Sequence, residues 1–374
     1  MKIKRFTGFN CIVMVMIPIF LLLNCSPSPE VNEVQPYGYT IPEEIDDGWE
    51  VATLSSVGID TTGVEDVVRL ILDNVYPNIH SILIVKNGKL VLEVYAPGYS
   101  RTAKHEVQSA SKSFRSALIG IAIDKGFIEG VGEKLFSFFP DYAYLNDTEK
   151  DKILLKHLLT MSSGFDWNES TLPYDHPDNK LRQMYEESSD WVYFVLSQPM
   201  ADDPGTVFNY NTGASLLQTD ILTNTTGVRA DRFADDNLYI PMQMQEHFGN
   251  WPPLSDGVRS RDMAKFGYLF LNLGEWQGKQ IISKKWVVES IKKRITTYVT
   301  SIGWLTGYGY QWWTGDDVIN GRTIHMYAAW GNGGQVIAVF PELDLVVVFT
   351  GGCFDDASRP FKILRDRLIP VIVG

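Results

Sequence analysis

The sequence predicts a mixed α/β (α+β) protein in which both ends of the chain form one antiparallel sheet, covered by helices on both faces. Three observations predict this fold. A hairpin signal stands early, the middle of the chain is mainly helical, and strand character returns after residue 322. The middle, roughly residues 127–265, is then an inserted helical subdomain. A groove between the sheet and this insert is the natural place for a ligand.

The first predicted elements are a helix and a hairpin. In "TTGVEDVVRLILDNVYP" (61–77), apolar residues recur at helical spacing behind a threonine that can cap the helix. The segment "SILIVKNGKLVLEVYAPG" (81–98) contains two apolar runs joined at Asn87-Gly88, which is a strong hairpin signal. The hairpin supplies two strands from the N-terminal end of the domain.

Helical patterns follow, and strands return at the end of the chain. The predicted helices, separated by Pro, Asp and Gly, are 151–164, 180–197 and 282–294. The predicted late strands are 322–330, 334–341 and 343–351. The last two strands are apolar at nearly every position, which is typical of strands covered on both faces. The segment 359–373 is expected to supply one covering helix.

Composition bounds the function. The chain has 374 residues, of which 45% are hydrophobic, so it is long enough for a large core. Its net charge of −12 argues against a nucleic-acid partner, which needs a basic face. Only 3 cysteines are present, too few for a disulfide framework. No phosphate-binding glycine loop, Gly-x-Ser-x-Gly elbow or metal-binding pattern occurs among its motifs, so we expect no cofactor and no metal.

The N-terminus has the features of an export signal. A charged start precedes the apolar run "CIVMVMIPIFLLL" (11–23), whose length fits a signal peptide better than a membrane span. We therefore predict a signal peptide over 1–24, a lipidated Cys25, and a Pro-rich tether over 25–49. The main domain is then 50–374. Asn24 departs from the small residue usual before a lipidated cysteine, so simple cleavage nearby or an uncleaved anchor stays an alternative.

The segment "EVQSASKSFRSALIG" (106–120) places a lysine at the start of a helix that is apolar around most of its circumference. Ser109 and Lys112 lie three residues apart and so share one face of that helix. Burial lowers the pKa of an amine, which lets it accept a proton from a neighbouring serine. The same spacing at Ser290 and Lys293 lies in an amphipathic helix and is interpreted as structural. For the first pair alone, structural and catalytic interpretations stay open.

Two further polar stretches give this pair a context. In "PGTVFNYNTGASLL" (204–217), Tyr210 stands at the junction between a loop and an apolar helix. In "AAWGNGGQVIAVFP" (328–341), three glycines precede a buried strand, where they allow the backbone to approach a ligand closely. Each has a plain alternative, a core tyrosine with a satisfied hydroxyl and an ordinary turn.

Taken in order, three motifs resemble those of the serine β-lactamase and penicillin-binding-protein superfamily. They are Ser109-x-x-Lys112, Tyr210-x-Thr212 and Gly331-Asn332-Gly333. Intervening segments are similar too, among them "LLKHLLTMSSGFDW" (154–167) and "FPELDLVVV" (340–348). Over roughly 50–370 the chain is most similar to the branch of class C β-lactamases, esterases and 6-aminohexanoate-dimer hydrolases.

The resemblance implies a role for each matching residue. Ser109 would be the nucleophile, Lys112 its proton partner, and Tyr210 the general base in acylation and then the acid toward the leaving group. The backbone N–H groups of Ser109 and Gly334 would form the oxyanion hole. The residues expected to contact substrate are Thr212, Gly331, Asn332, Gly333, Trp167 and Trp330.

The chain departs from the superfamily pattern at two of these positions. Thr212 stands where Asn or Ser is frequent, so its hydrogen bond to Lys112 or to substrate is less certain. Gly331 replaces the usual Lys or His, so the motif offers no cation for a substrate carboxylate. This departure argues against strong β-lactam hydrolysis and D-Ala-D-Ala chemistry.

The resemblance therefore implies a serine hydrolase that cleaves a small ester, amide or peptide-like substrate through an acyl-enzyme. The alternatives are a β-lactamase or D-Ala-D-Ala carboxypeptidase, and a binding or sensor protein that is acylated without turnover. The export features place the protein at the periplasmic side of a bacterial envelope. Its membrane contact would come only through the lipid anchor.

Overall fold

The computed structural model describes residues 37–244, 257–299 and 302–374. The predicted signal peptide (1–24), Cys25 and the start of the tether lie outside these residues. From Tyr37 to Gly374 the chain forms one compact unit. Within the described residues, no helix is both long enough and apolar enough to cross a lipid bilayer.

The helices run from α1 near the N-terminal end of this unit to α11 at its last residues. In chain order they are α1 (Thr61–Leu72), α2 (Ser111–Asp124), α3 (Leu155–Leu159), α4 (Lys180–Glu187), α5 (Trp191–Ser197), α6 (Thr212–Thr226), α7 (Ala230–Ala234), α8 (Ser260–Leu271), α9 (Lys284–Ile291), α10 (Arg359–Ile363) and α11 (Ile369–Val373). A π-helical stretch, Leu364–Leu368, joins the last two into one continuous helical segment.

The strands fall at the two ends of the same unit. In chain order they are β1 (Ile79–Lys86), β2 (Lys89–Tyr95), β3 (Lys104–His105), β4 (Val258–Arg259), β5 (Glu275–Trp276), β6 (Lys279–Gln280), β7 (Ile295–Thr296), β8 (Gly307–Tyr308), β9 (Trp313–Ile319), β10 (Arg322–Gly331), β11 (Gln335–Phe340) and β12 (Leu345–Gly351). The main sheet has the order β2-β1-β12-β11-β10-β9-β8-β7, and its neighbours are antiparallel.

The sheet therefore joins both ends of the chain, as predicted. Strand β1 pairs with β12, and Ile82 lies opposite Phe349. Strands β11 and β12 are buried along their whole lengths. Because successive side chains point to opposite faces, Val346 and Val348 enter one core while Val347 and Phe349 enter the other. The predicted fold class is confirmed.

Each face of the sheet is covered by helices with an apolar side. Helices α2 and α8 lie over one face, where Phe114 stacks on Phe266 with ring centroids 3.7 Å apart. Helix α1 and the C-terminal helical segment lie over the other face. The middle of the chain, α3 to α7, packs beside α2. This arrangement leaves the start of α2 between the sheet and the helical middle.

The predicted helices end earlier than their patterns indicated, and two of them depart most. The segment 180–197 is divided, because the Asp190 carboxylate accepts the backbone N–H of Tyr193 and starts a new helix, α5. In 151–164 only α3 is α-helical. Thr160 follows the last helical residue, and Met161 has a φ of 55°, in the left-handed region.

Part of the predicted tether lies against the domain. The Tyr39 hydroxyl donates to the carbonyl of Val91, and Trp49 is buried. The Arg261 guanidinium, itself buried, contacts the Asp47 carboxylate at 3.0 Å. These contacts hold the segment from Tyr37 to Trp49 on the surface of the sheet and α8.

Candidate active site

Ser109 lies in a short turn directly before the buried helix α2. The 3₁₀ turn Gln108–Ala110 leads into α2, and the residues of α2 from Ser111 to Ala122 are all buried. Gln108 has a φ of 50°, which is unfavourable for a residue other than glycine. Such strain is typical of sites whose geometry serves function.

The structure brings Ser109, Lys112 and Tyr210 together. The Lys112 Nζ atom lies 2.8 Å from the Ser109 Oγ atom, and the lysine side chain is 2% exposed. The same Nζ atom lies 4.9 Å from the centre of the Tyr210 ring. Tyr210 and Ser109 line the same cavity, and the Ser109 side chain is one of the groups that act on the pKa of the Tyr210 hydroxyl. Tyr210 reaches this position because it directly precedes Asn211, whose side chain caps α6 through the N–H of Ala214.

Burial divides the protonation roles between the lysine and the tyrosine. It lowers the pKa of the Lys112 amine to about 7, an effect that the Glu169 carboxylate opposes and the Arg115 guanidinium reinforces. Burial raises the pKa of the Tyr210 hydroxyl well above its ordinary value. At neutral pH the phenol therefore keeps its proton, and the amine is the group that can accept one. These directions make Lys112 a candidate base and Tyr210 a candidate acid, while the general-base role given to Tyr210 from the sequence stays a prediction.

The glycine at the end of β10 permits close contact with the nucleophile turn. A Cβ atom on Gly331 would lie 2.3 Å from the carbonyl oxygen of Val107 and 3.1 Å from the backbone N of Ala110. Any side chain at this position would push the turn away. Strand β10 lies so close to the Ser109 turn that a Lys or His side chain does not fit at position 331. This contact explains why the motif has no cation there.

The turn after β10 places Asn332, and not Gly334, in the lining of the cavity at Ser109. A Cβ atom on Gly334 would lie nearest Cys353 and Pro360, and Gly334 does not line the cavity at Ser109. Asn332 does line it. Because β10 ends at Gly331 beside Ser109, the backbone turns away from the nucleophile before Gly334 is reached. The predicted donor Gly334 stays a prediction, and Asn332 is the residue of this turn that the cavity makes a candidate for the same role.

A cavity of about 230 Å³ opens at Ser109. Its lining is largely aromatic and carries no charged side chain among the described residues. The lining residues are Ser109, Ser170, Tyr174, Tyr210, Tyr298, Val299, Trp313, Trp330, Gly331, Asn332 and Ala357. Of the predicted substrate contacts, Trp330, Gly331 and Asn332 line this cavity, and Gly333 follows them in the turn.

Two predicted substrate contacts lie elsewhere. Trp167 and Thr212 are buried, do not line the cavity, and both donate hydrogen bonds to Glu169. Glu169 was not predicted from the sequence. Nothing in "FDWNES" distinguishes it from Asp166, yet in the structure Asp166 is exposed and Glu169 is buried.

The other residues weighed from the sequence have structural partners. His157 accepts the backbone N–H of Leu154, and burial lowers its pKa to about 4. Ser290 donates to the carbonyl of Trp286 inside α9, while Lys293 is exposed. Among the described residues, no group of His, Cys, Asp and Glu is arranged to hold a metal ion.

A larger cavity lies away from Ser109. It measures about 430 Å³ and lies between α5, α6 and α7. Its wall includes Asp190, Asp220 and Asp231, and burial together with Asp190 raises the pKa of Asp220 to about 6. It contains none of the three residues that meet at Ser109. The chemistry of the smaller cavity, and not size, identifies the candidate active site.

Comparisons with known proteins agree with this assignment of the fold. A 6-aminohexanoate-dimer hydrolase of Paenarthrobacter ureafaciens is 24% identical over 319 residues, which cover 77% of this chain and 76% of that protein. Among solved structures, a candidate 6-aminohexanoate-dimer hydrolase of Bacillus anthracis is 22% identical with a TM-score of 0.63, covering 80% of each chain. A D-amino acid amidase of Ochrobactrum anthropi SV3 is 13% identical with a TM-score of 0.62, covering 83% of this chain and 99% of its own.

The resemblance stated from the motifs is confirmed at the level of the family. The family model described as Beta-lactamase matches residues 80–362, which is well over half of the chain and includes Ser109, Lys112, Tyr210 and Asn332. The chain belongs to the beta-lactamase family.

Proposed function

We propose that the protein is a serine hydrolase that cleaves an ester or amide bond through an acyl-enzyme intermediate. One observation carries the proposal, the 2.8 Å contact between the Ser109 Oγ atom and a buried Lys112 amine. An amine whose pKa lies near 7 is suited to accept the hydroxyl proton at neutral pH. Relatives named as hydrolases and amidases support the same reaction class.

In acylation, the Ser109 oxygen attacks the carbonyl carbon of the substrate while its proton moves to Lys112. The backbone N–H groups of Ser109 and Asn332 stabilise the oxyanion that forms. Tyr210, which keeps its proton and lines the same cavity as Ser109, donates that proton to the leaving oxygen or nitrogen as its bond to the carbonyl carbon breaks. The Lys112 proton restores that of Tyr210.

In deacylation, a water molecule attacks the carbonyl carbon of the acyl-enzyme. Lys112 accepts the proton of that water, and the same two backbone donors stabilise the second oxyanion. The bond between the carbonyl carbon and the Ser109 oxygen then breaks, and that oxygen takes up the proton held by Lys112. One donor in such a site typically contributes about 10²–10³ in rate.

The cavity favours an uncharged substrate. Its described lining offers aromatic rings and neutral polar groups, and Lys112 and Glu169 are buried and do not line it. A charged group placed there would lose its hydration without gaining a counter-ion. We therefore propose a neutral ester or amide with an apolar acyl group. This preference disfavours β-lactams and D-Ala-D-Ala peptides, which carry a carboxylate.

The first test is turnover of a short-chain nitrophenyl ester. We expect Ser109→Ala to abolish turnover and fluorophosphonate labelling, and Lys112→Met to lower kcat/KM by about 10³-fold or more. Lys293→Met is the matched control, because it removes an exposed lysine of the second Ser-x-x-Lys copy. Ester turnover that survives in Ser109→Ala refutes the assignment of the nucleophile.

The same assay separates the alternatives. A chromogenic cephalosporin turned over faster than the ester would identify a β-lactamase. A stoichiometric burst of product with no steady state would identify a sensor that is acylated once. Continued turnover of the ester, with little of the cephalosporin, supports the proposal.

We further propose that the protein is exported and carries a lipid on Cys25. The support is the sequence alone, a charged start followed by the apolar run 11–23 and the cysteine. Metabolic labelling with a fatty-acid probe in a bacterial host tests this, with Cys25→Ser and Cys353→Ser as variant and control. Equal labelling of both variants, or labelling of neither the wild type nor the control, contradicts lipidation at Cys25.

A further inference from the structure

We propose that Glu169 is a positioning residue that fixes the loop carrying Tyr210 and, through its charge, favours proton transfer to Lys112. The proposal rests on the function proposed above and adds a residue to it. Neither the motifs nor the cavity lining include Glu169, which acts through its neighbours.

The Glu169 carboxylate is held by three donors. Its Oε2 atom accepts the indole N–H of Trp167 at 2.9 Å and the backbone N–H of Thr212 at 2.7 Å. Its Oε1 atom accepts the Thr212 hydroxyl at 2.6 Å. The side chain is 2% exposed, so water contributes little to this arrangement. Three bonds at these distances fix the carboxylate in one orientation.

These bonds connect Glu169 to the catalytic loop. Thr212 is the first residue of α6 and lies two residues after Tyr210. Trp167 closes the other side, because a Cβ atom on Gly213 would lie 2.7 Å from its ring. Displacing the carboxylate would therefore move the start of α6 and, with it, the Tyr210 hydroxyl.

The same carboxylate acts on Lys112 through its charge. Burial and Arg115 both lower the pKa of the Lys112 amine, whereas Glu169 raises it. Without this negative charge the amine would be a weaker base, and the cation formed when Ser109 loses its proton would have less compensation. Glu169 thus limits how far burial lowers the basicity of Lys112.

The decisive variant is Glu169→Gln, which removes the charge and keeps the shape. The amide oxygen can accept both N–H groups, and the amide nitrogen can donate to the Thr212 hydroxyl, so the three contacts are preserved. We expect the acidic limb of the kcat/KM profile, which reports the free enzyme, to move to lower pH by about one unit. We also expect kcat to fall about tenfold at pH 8 with KM within about twofold, since Glu169 does not line the cavity.

Asp166→Asn is the matched control, because it removes an exposed carboxylate three residues earlier and should leave the limb in place. A folded Glu169→Gln enzyme whose limb does not move, or moves to higher pH, overturns the proposal. Should that variant fail to fold, Trp167→Phe and Thr212→Val each remove one donor and keep the charge. They are then expected to lower kcat with an unmoved limb, and unchanged kcat in both overturns the proposal.

The outcome is separable from that of the proposed function. If Ser109→Ala keeps its activity, the hydrolase mechanism fails whatever Glu169 does. If Ser109→Ala is inactive and Glu169→Gln keeps the wild-type limb, only the role of Glu169 fails.

Discussion

At the scale of the residue, Lys112 shows how a helix interior can hold an amine for chemistry. The side chain is buried, as is every residue of α2 from Ser111 to Ala122, and its Nζ atom contacts the Ser109 hydroxyl. Burial favours the neutral amine, and Glu169 limits that effect. These opposing effects keep the pKa of the Lys112 amine near neutral pH, where the amine can both accept and return a proton.

This balance predicts a pH profile. Below about pH 7 the Lys112 amine is protonated and cannot accept the Ser109 proton, so kcat/KM should fall about tenfold per pH unit as pH decreases. Above about pH 7 the amine is neutral and the rate should level off. The Tyr210 hydroxyl, with a raised pKa, should cause no loss of rate below about pH 10.

Ester hydrolysis measured from pH 5 to pH 10 at constant ionic strength checks this profile. Fluorophosphonate labelling of Ser109 over the same range is an independent measurement. The fluoride that leaves the probe needs no proton, so the labelling rate reports the base that activates Ser109 and not the acid. A rate that stays constant down to pH 5, in both measurements, contradicts the assignment of Lys112 as the base.

The sequence was sufficient to predict which three residues meet, and insufficient for the residues around them. Ser109 and Lys112 share one motif and Tyr210 lies in a second, so the resemblance of these motifs to those of a family located all three residues. Whether Asn332 or Gly334 lies at the cavity depends on how far the backbone has turned after β10. The spacing of residues in the sequence does not show that turn. Glu169 stands near no periodic pattern, and its burial depends on Trp167 and Thr212 folding around it.

At the scale of the element, strand β10 and the Ser109 turn act as one unit. The strand is ten residues long and ends at Gly331, against the backbone of Val107 and Ala110. Its contact with the turn places the nucleophile beside the strand and the following Asn332. The backbones of β10 and of the Ser109 turn can lie this close because Gly331 has no side chain.

Gly331→Ala should therefore impair catalysis more than it impairs folding. The added methyl group would lie 2.3 Å from a backbone oxygen, so the Ser109 turn must shift. Overpacking of this kind costs about 1–3 kcal/mol, and we expect at least about a tenfold loss of kcat/KM. Steady-state ester hydrolysis and thermal unfolding of the same preparation measure both effects.

Gly132→Ala is the matched control, because a Cβ atom there would meet nothing within 4 Å. It should change neither the activity nor the melting temperature. Wild-type activity in Gly331→Ala would show that the turn and the strand are not in the close contact described.

Element types followed from the sequence more readily than element ends. The early hairpin and the last two strands have patterns that a turn or continuous burial explains, and they formed where expected. The segment 180–197 contains one long helical pattern, but Asp190 caps a second helix within it. A cap of this kind competes with helix continuation, and the outcome depends on tertiary packing around Trp191.

At the scale of the whole molecule, Arg261 joins three distant parts of the chain. From the start of α8 it contacts the Glu93 carboxylate of β2 at 2.7 Å and Asp47 at 3.0 Å. It also donates to the backbone carbonyl of Glu43 at 2.6 Å. All three charged side chains are at most 5% exposed. The network attaches the segment before the domain to the sheet and to α8.

Removing the cation of this network should destabilise the protein strongly. Arg261→Met removes the ion-pair partner of the buried Asp47 carboxylate and leaves the buried Glu93 carboxylate with the more distant Arg101 guanidinium, at 3.5 Å. Losing the partner of a buried charge costs about 3–5 kcal/mol of unfolding free energy. Urea denaturation followed by fluorescence gives the free energy. Lys134→Met breaks an exposed pair with Asp151 and should cost less than about 1 kcal/mol. Equal effects of the two substitutions contradict the role given to the network.

The pairing of β1 with β12 also affects when activity can arise during synthesis. A ribosome releases β1 and β2 early, and a two-stranded hairpin is marginal in water until its neighbours arrive. Its central neighbour, β12, is synthesised only after β1 to β11. The turn that carries Asn332 is likewise linked to that end, since Cys353 bonds to the carbonyl of Gly333. A nascent polypeptide interrupted before Cys353 would contain Ser109, Lys112 and Tyr210 and yet have no catalytic activity.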